Sequence, residues 1–204
     1  MIVNHLFPTA VAQFTYDKGF TEDEVKFLTT RETRTNMGNI TSIDNYILKQ
    51  ECLSNIKEFC DASVNEYFQL VHQPKYDVKP YITQSWVNYT EPGQYHHKHE
   101  HPNSIISGVL YIEADIKFDK IFFYNEKYKQ IKIPSKEFNL YNSDSWWLEV
   151  KTCTLMLFPS NLTHMVATVE SSENRTRRTS LAFNTFLKGN LGDELELTAL
   201  NLGD

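Results

Sequence analysis

The sequence predicts a mainly β fold, an antiparallel sandwich or barrel backed by helices from the N-terminal third. Three observations carry this reading. Short apolar runs separated by Asn, Pro, Ser and charged turns fill the chain after Pro74 and Pro80, and that spacing indicates antiparallel sheets. Two helical patterns precede them. Neither a βαβ alternation nor a Gly-rich phosphate loop occurs, which excludes a dinucleotide fold.

The first helix opens on the capping box Thr21-Glu22-Asp23-Glu24, with Thr21 as N-cap, Glu24 at N3, and Phe20 and Val25 placed for a hydrophobic staple. It is expected to run to about Arg34, ahead of Asn36, Gly38 and Asn39. A longer helix is expected from Ser42 to about His72. There Leu53, Ile56, Cys60, Val64, Tyr67 and Val71 recur three or four apart and form an apolar stripe that packs on a sheet. The expected strands are 82–89, 106–113, 120–124, 131–133, 145–150, 154–158, 164–169 and 179–187. In the first of them alternation sets Ile82, Gln84, Trp86 and Asn88 on one face.

The chain has 204 residues, enough to bury a core as one domain. Residues 1–75 are expected as helical support, 76–190 as the β core and 191–204 as a C-terminal tail. A hydrophobic content of 41% with 13% aromatics excludes disorder. A formal charge of −6 argues against a nucleic-acid partner, which needs clustered cations on phosphates. The dense basic run Arg175, Arg177, Arg178 is too short to reverse that. Cys52, Cys60 and Cys153 cannot all pair within one chain, and no Cys-x-x-Cys occurs, so a reducing, cytoplasmic setting is expected (a host-cell cytoplasm for a phage-encoded chain). Residues 1–16 lack a leader pattern and no run reaches membrane-spanning length, so no membrane partner is expected.

The chemistry concentrates in His96-His97-Lys98-His99-Glu100-His101-Pro102, which holds four of the seven histidines. Neutral imidazole is the commonest ligand for a borderline metal. On an extended strand His97, His99 and His101 would share one face, opposite His96, Lys98 and Glu100. A metal there needs a further ligand from elsewhere, and His164, at a strand start after a Pro-containing turn, can present one. Arg178 and Ser180 share a face of an apolar strand. A buried guanidinium must be paired, either with a ligand carboxylate or with a protein Asp or Glu.

The order His-x-His-Pro from His99, Ser-Gly-Val-Leu-Tyr-Ile from Ser107, Phe-Pro-Ser-x-Leu-x-His from Phe158 and Arg-Thr-Ser-Leu-Ala-Phe-Asn from Arg178 resembles the 2-oxoglutarate/Fe(II)-dependent oxygenases. The nearest likeness is to a bacterial and marine-phage branch distantly similar to prolyl hydroxylases. Leu6-Phe7-Pro8-Thr9 and Trp86-Val87-Asn88 extend the resemblance over nearly the whole chain. It implies a double-stranded β-helix, a cupin-like jelly roll with N-terminal helices. It also implies Fe(II) as cofactor, with 2-oxoglutarate and O2 as cosubstrates. His99 matches the first ligand and His164 the distal one. Arg178 matches the clamp on the distal carboxylate of 2-oxoglutarate, with Tyr111, Ser180 and Asn88 beside it and Tyr89 in the same pocket.

His101 departs from the pattern by standing where the family usually has a carboxylate. Either three histidines hold the metal, or the register shifts to His97 with His99; Glu100 ranks third. Cys153 departs too, standing where relatives tend to have Gly. The implied reaction is hydroxylation of an unactivated C–H, with succinate and CO2 released. A prolyl residue in a peptide or protein is the first substrate expected and a small metabolite the next, under a lid formed by residues 125–130 and 134–143. The rival readings are a zinc metallo-hydrolase, a three-histidine dioxygenase without cosubstrate, and a non-catalytic metal-binding jelly-roll module.

Overall fold

A computed structural model describes residues 1–126, 131, 133–170 and 177–203. Helix α1 spans Glu22–Thr29 and opens on the expected capping box: Glu24 N donates to Thr21 Oγ1 at 3.2 Å and Thr21 N to Glu24 Oε2 at 2.8 Å. It stops at Thr29 rather than near Arg34. Thr29 and Thr30 hydroxyls donate to the carbonyls of Val25 and Lys26, both at 2.7 Å, and Arg31 Nε to that of Phe27 at 2.8 Å. Side chains thus take the carbonyls that further helix would need.

Preceded by β1 (Ala12–Thr15), that helix leads into a hairpin of β2 (Thr33–Thr35) and β3 (Ile40–Ser42). The helix expected from Ser42 begins only at Ser54. Two 3-10 turns, Ile47–Lys49 and Glu51–Leu53, fill the gap. Local polar bonds compete with helix here. Ser42 Oγ donates to Asp44 O at 2.7 Å and accepts from Val87 N at 3.0 Å, while Asp44 Oδ1 accepts from Tyr46 N at 2.7 Å. Helix α2 (Ser54–His72) buries Ile56, Cys60, Val64, Tyr67 and Phe68. Val71, expected in the stripe, is 40% exposed; Phe68 takes the buried place as the apolar face drifts round the helix.

The remaining strands are β4 (Val78–Thr90), β5 (His96–His99), β6 (Ile106–Glu113), β7 (Lys120–Tyr124), β8 (Ser145–Glu149), β9 (Thr154–Pro159), β10 (His164–Val166), β11 (Arg178–Leu191) and β12 (Leu200–Asn201). They make two antiparallel sheets, one ordered β1-β9-β6-β11-β4-β3-β2 with β12 on β11, the other β5-β10-β7-β8. This is the jelly roll expected. The expected strand at 131–133 is not present at Ile131 or Ile133, and Lys132 lies outside the described residues.

Alternation along the large sheet divides the core in two. Leu110, Ile112, Leu155, Leu157, Leu181 and Phe183 pack outward with Ile56, Cys60, Val64 and Tyr67 of α2. Their neighbours Val109, Tyr111, Met156, Phe158 and Ala182 pack inward with Ile121, Phe123 and Val166 of the small sheet. Both faces are covered, so these strands read as continuous apolar runs. Each fully buried large side chain contributes about 1.5–3 kcal/mol. Gly108 is required by this packing, because a Cβ there would lie 2.1 Å from the Phe183 ring.

Strand β4 does not keep its expected face throughout. A register shift opposite Asn184 and Thr185, where Thr83 Oγ1 donates to Asn184 O at 3.1 Å, reverses the alternation. Ile82 therefore packs outward while Trp86 packs inward. Among the described residues no helix is long and apolar enough to cross a membrane.

Candidate metal and cosubstrate site

The histidine tract lies on a bulge. His96 pairs with Val166 and His99 with His164, three steps on β5 against two on β10. The extra residue breaks the alternation, so His96 does not point away from His99 as expected. Their rings stack at 4.7 Å and 18°. His99, His101 and His164 gather with ligand atoms within 4.8 Å of one another, and so do His96, His97 and His99. The alternative pair His97 and His99 is thus grouped with His96 and not with the distal His164.

Hydrogen bonds prepare ligands in both groups, for His97 Nδ1 also lies on a carbonyl, Met37 O, at 3.1 Å. His164 Nδ1 lies 3.0 Å from Leu162 O and His99 Nδ1 lies 2.7 Å from His97 O. A carbonyl only accepts, so these nitrogens carry the protons and each Nε2 keeps a lone pair for a metal. His101 Nε2 lies 3.3 Å from His164 Nε2. Two nitrogens bound cis to one ion at about 2.1 Å lie roughly 3 Å apart, so this pair fits a common metal. Burial is the largest cause that lowers the imidazole pKa values, with His99 the next. It brings His101 to about 4 and His164 to about 3, so both are neutral ligands at pH 7. Phe158 meets His164 edge-on at 4.6 Å and Trp86 stacks near His101 at 5.9 Å, which screens the cluster from water.

Arg178 is 2% exposed. Its Nη1 donates to Asp119 Oδ1 at 2.9 Å and to Ala167 O at 3.0 Å. A protein carboxylate is therefore one partner, yet Nη2 is buried with none, as is the hydroxyl of Tyr111. Burial raises the Tyr111 pKa, so its hydroxyl is a proton donor. Ser180 pairs across the sheet with both Asn88 and Tyr111. A ligand carboxylate is the group that two orphaned donors of this kind would satisfy. Tyr89 does not join the pocket: it faces the helices, its hydroxyl donating to Leu28 O at 2.6 Å, because it alternates with the inward Asn88.

Three contributors were not evident from the sequence. Asp119 precedes β7 without any motif. His96 turns inward only through the bulge. Asn184, at the end of the Arg178 motif, keeps a buried side-chain oxygen without a hydrogen-bond partner. Cys153 is explained by its backbone: its φ of 69° is the left-handed conformation that favours Gly.

Residues 84–184 match the family model described as "Putative 2OG-Fe(II) oxygenase", a span that includes the histidine cluster and Arg178. No curated protein matches the sequence. Among solved structures, a 2OG-Fe(II) oxygenase family oxidoreductase from Burkholderia pseudomallei superposes with a TM-score of 0.58 at 11% identity, over 86% of this chain and 83% of that one. HygX from Streptomyces hygroscopicus, with nickel, 2-oxoglutarate and hygromycin B bound, gives 0.58 at 10% identity over 87% and 82%. A Pseudomonas putida prolyl-4-hydroxylase gives 0.54 at 15% identity over 86% and 92%. The chain belongs to the 2-oxoglutarate/Fe(II)-dependent oxygenases. It is accordingly an enzyme that uses Fe(II), 2-oxoglutarate and O2, and its histidine cluster suits the metal.

Proposed function

We propose that His99, His101 and His164 hold Fe(II), that Arg178, Tyr111 and Ser180 hold 2-oxoglutarate with Asn88 alongside, and that the enzyme hydroxylates a prolyl residue in a peptide or protein. The observation that carries the site is the pairing of a neutral histidine cluster with two orphaned buried donors, Arg178 Nη2 and Tyr111 OH. The metal with its cosubstrates supplies the oxidising chemistry, converting 2-oxoglutarate to succinate and CO2.

The protein's part is positional. Asp119 and Ala167 O fix the guanidinium so that Nη2 is presented to the carboxylate. Tyr111 keeps its proton and donates. His101 in place of a carboxylate leaves the cation with one negative charge fewer, which raises its pull on bound acids. The aromatic rings of Trp86, Phe123 and Phe158 limit water. All 204 residues serve as one oxygenase domain. Asn125, Glu126 and residues 134–143 serve as the substrate lid; 127–130, also expected in it, lie outside the described residues. Lys98 beside the histidines pairs with Glu126 at 2.6 Å, which ties the first of these loops to β5. Prolyl substrates are supported by the likeness to prolyl hydroxylases.

The test is aerobic incubation of Fe(II)-loaded enzyme and 2-oxoglutarate with proline-containing peptides, free proline or no acceptor. Succinate release stimulated by the peptides and matched by hydroxyproline is expected. Stimulation by free proline alone would replace peptide with metabolite as substrate, and stimulation by neither would remove the prolyl assignment.

A further inference from the structure

We propose that Asn184 is a positioning residue for the metal, its side-chain oxygen accepting the Nδ1 proton of His101 and so holding that imidazole in the ligating tautomer. The inference rests on the three-histidine assignment above and assigns the support of its least anchored member. A metal takes the lone pair of Nε2, so each ligating histidine must carry its proton on Nδ1, and a buried N–H needs an acceptor. His99 and His164 have theirs in the carbonyl two residues earlier, His97 O at 2.7 Å and Leu162 O at 3.0 Å. Among the described residues no backbone carbonyl does this for His101, whose Nε2 is turned toward His164 Nε2 at 3.3 Å. That orientation leaves Nδ1 on the opposite edge of the ring.

The complementary orphan stands beside it. Asn184 Oδ1 is buried without a hydrogen-bond partner, and its strand neighbour Ser107 ties it to His101: Ser107 Oγ meets Ser160 Oγ at 2.9 Å, and Ser160 O accepts from His101 N at 2.9 Å. An amide oxygen without a donor next to a ring N–H without an acceptor satisfies both groups at once. Asn184 is also held firmly. It lies on the regular strand opposite the β4 bulge, where Thr83 is the extra residue and its Oγ1 donates to Asn184 O at 3.1 Å. Thr185 pins β11 there: its hydroxyl donates to Ile106 O at 2.8 Å and accepts from Ile106 N at 3.0 Å, and its amide donates to Ser104 Oγ at 3.1 Å. The 2-oxoglutarate dianion brings only acceptors, so it cannot be the partner of Asn184 Oδ1.

The experiment measures Co(II) affinity by chelator competition, with the Co(II) absorption spectrum as a report on coordination, in the wild type, Asn184→Leu and Asn184→Asp. The Leu variant should bind Co(II) about 10–100-fold more weakly with an altered spectrum, while its metal-free melting temperature stays near wild type. The Asp variant keeps the acceptor and adds a charge-assisted bond, so it should bind at least as tightly as the wild type with the wild-type spectrum. Wild-type affinity and spectrum in the Leu variant overturn the inference, as does an Asp variant that has lost affinity; the latter decides if the Leu variant does not fold. A wild type whose Co(II) binding is indifferent to His164→Ala would instead overturn the three-histidine assignment.

Discussion

Arg178 Nη1 donates to Asp119 Oδ1 at 2.9 Å, with both side chains almost fully enclosed. The pair commits one arm of the guanidinium to the fold and leaves the other for a ligand. Asp119→Ala would strand a buried charge, and such breaks cost about 3–5 kcal/mol. A fall of that size in the urea unfolding free energy is expected; a loss below about 1 kcal/mol would mean that solvent reaches the pair.

The cluster predicts a signed pH response. His101 and His164 fall to about 4 and about 3 in the fold, from an ordinary 6.5. Below 6.5 the unfolded chain binds more protons at these sites, so their contribution turns destabilising as the pH falls toward the folded values. The metal-free wild type should lose stability relative to His164→Gln between about pH 7 and pH 5, read from urea midpoints. A difference that stays constant over that range contradicts the burial of His164.

Packing at Gly108 yields a third prediction. A methyl group there would collide with the Phe183 ring, which is fully buried and cannot yield. Gly108→Ala should cost about 1–3 kcal/mol, seen as a lower melting temperature. Equal stability would show that β6 and β11 can separate.

Cys153 offers a paired comparison. Cys153→Ala and Cys153→Gly both remove the thiol, but only the second relieves the left-handed strain. The Gly variant should be the more stable by about 1 kcal/mol in thermal or urea unfolding. The reverse order would place the importance of Cys153 in its packing on the outer core.

What the sequence made legible was whatever is local or strictly ordered along the chain. The capping box placed α1, and short apolar runs bounded by turn residues placed β6, β7 and β9 to within a residue. His99, His101 and His164 meet as the motif order implied. What it concealed came from bonds across long separations. Asp119 and Arg178 are 59 residues apart and nothing in either local pattern pairs them. The Ser42 hydroxyl, one of the groups that compete with helix there, is held by Val87 N from 45 residues away, and the bulges that turn His96 inward and Ile82 outward are set by neighbouring strands. Alternation could assign faces only where no residue was inserted.

The most direct test of the account is the thermal shift given by 2-oxoglutarate to metal-loaded and metal-free protein, in the wild type, His164→Ala and Arg178→Lys. One centre holding both groups predicts that 2-oxoglutarate stabilises the loaded wild type by about 2.7 kcal/mol at a hundredfold excess over its Kd. It also predicts little shift without metal, a lost shift in His164→Ala, and a shift in Arg178→Lys only at far higher 2-oxoglutarate, because lysine cannot supply the fork. A shift that is independent of metal, or that survives unchanged in both variants, would contradict the claim that His164 and Arg178 serve one site.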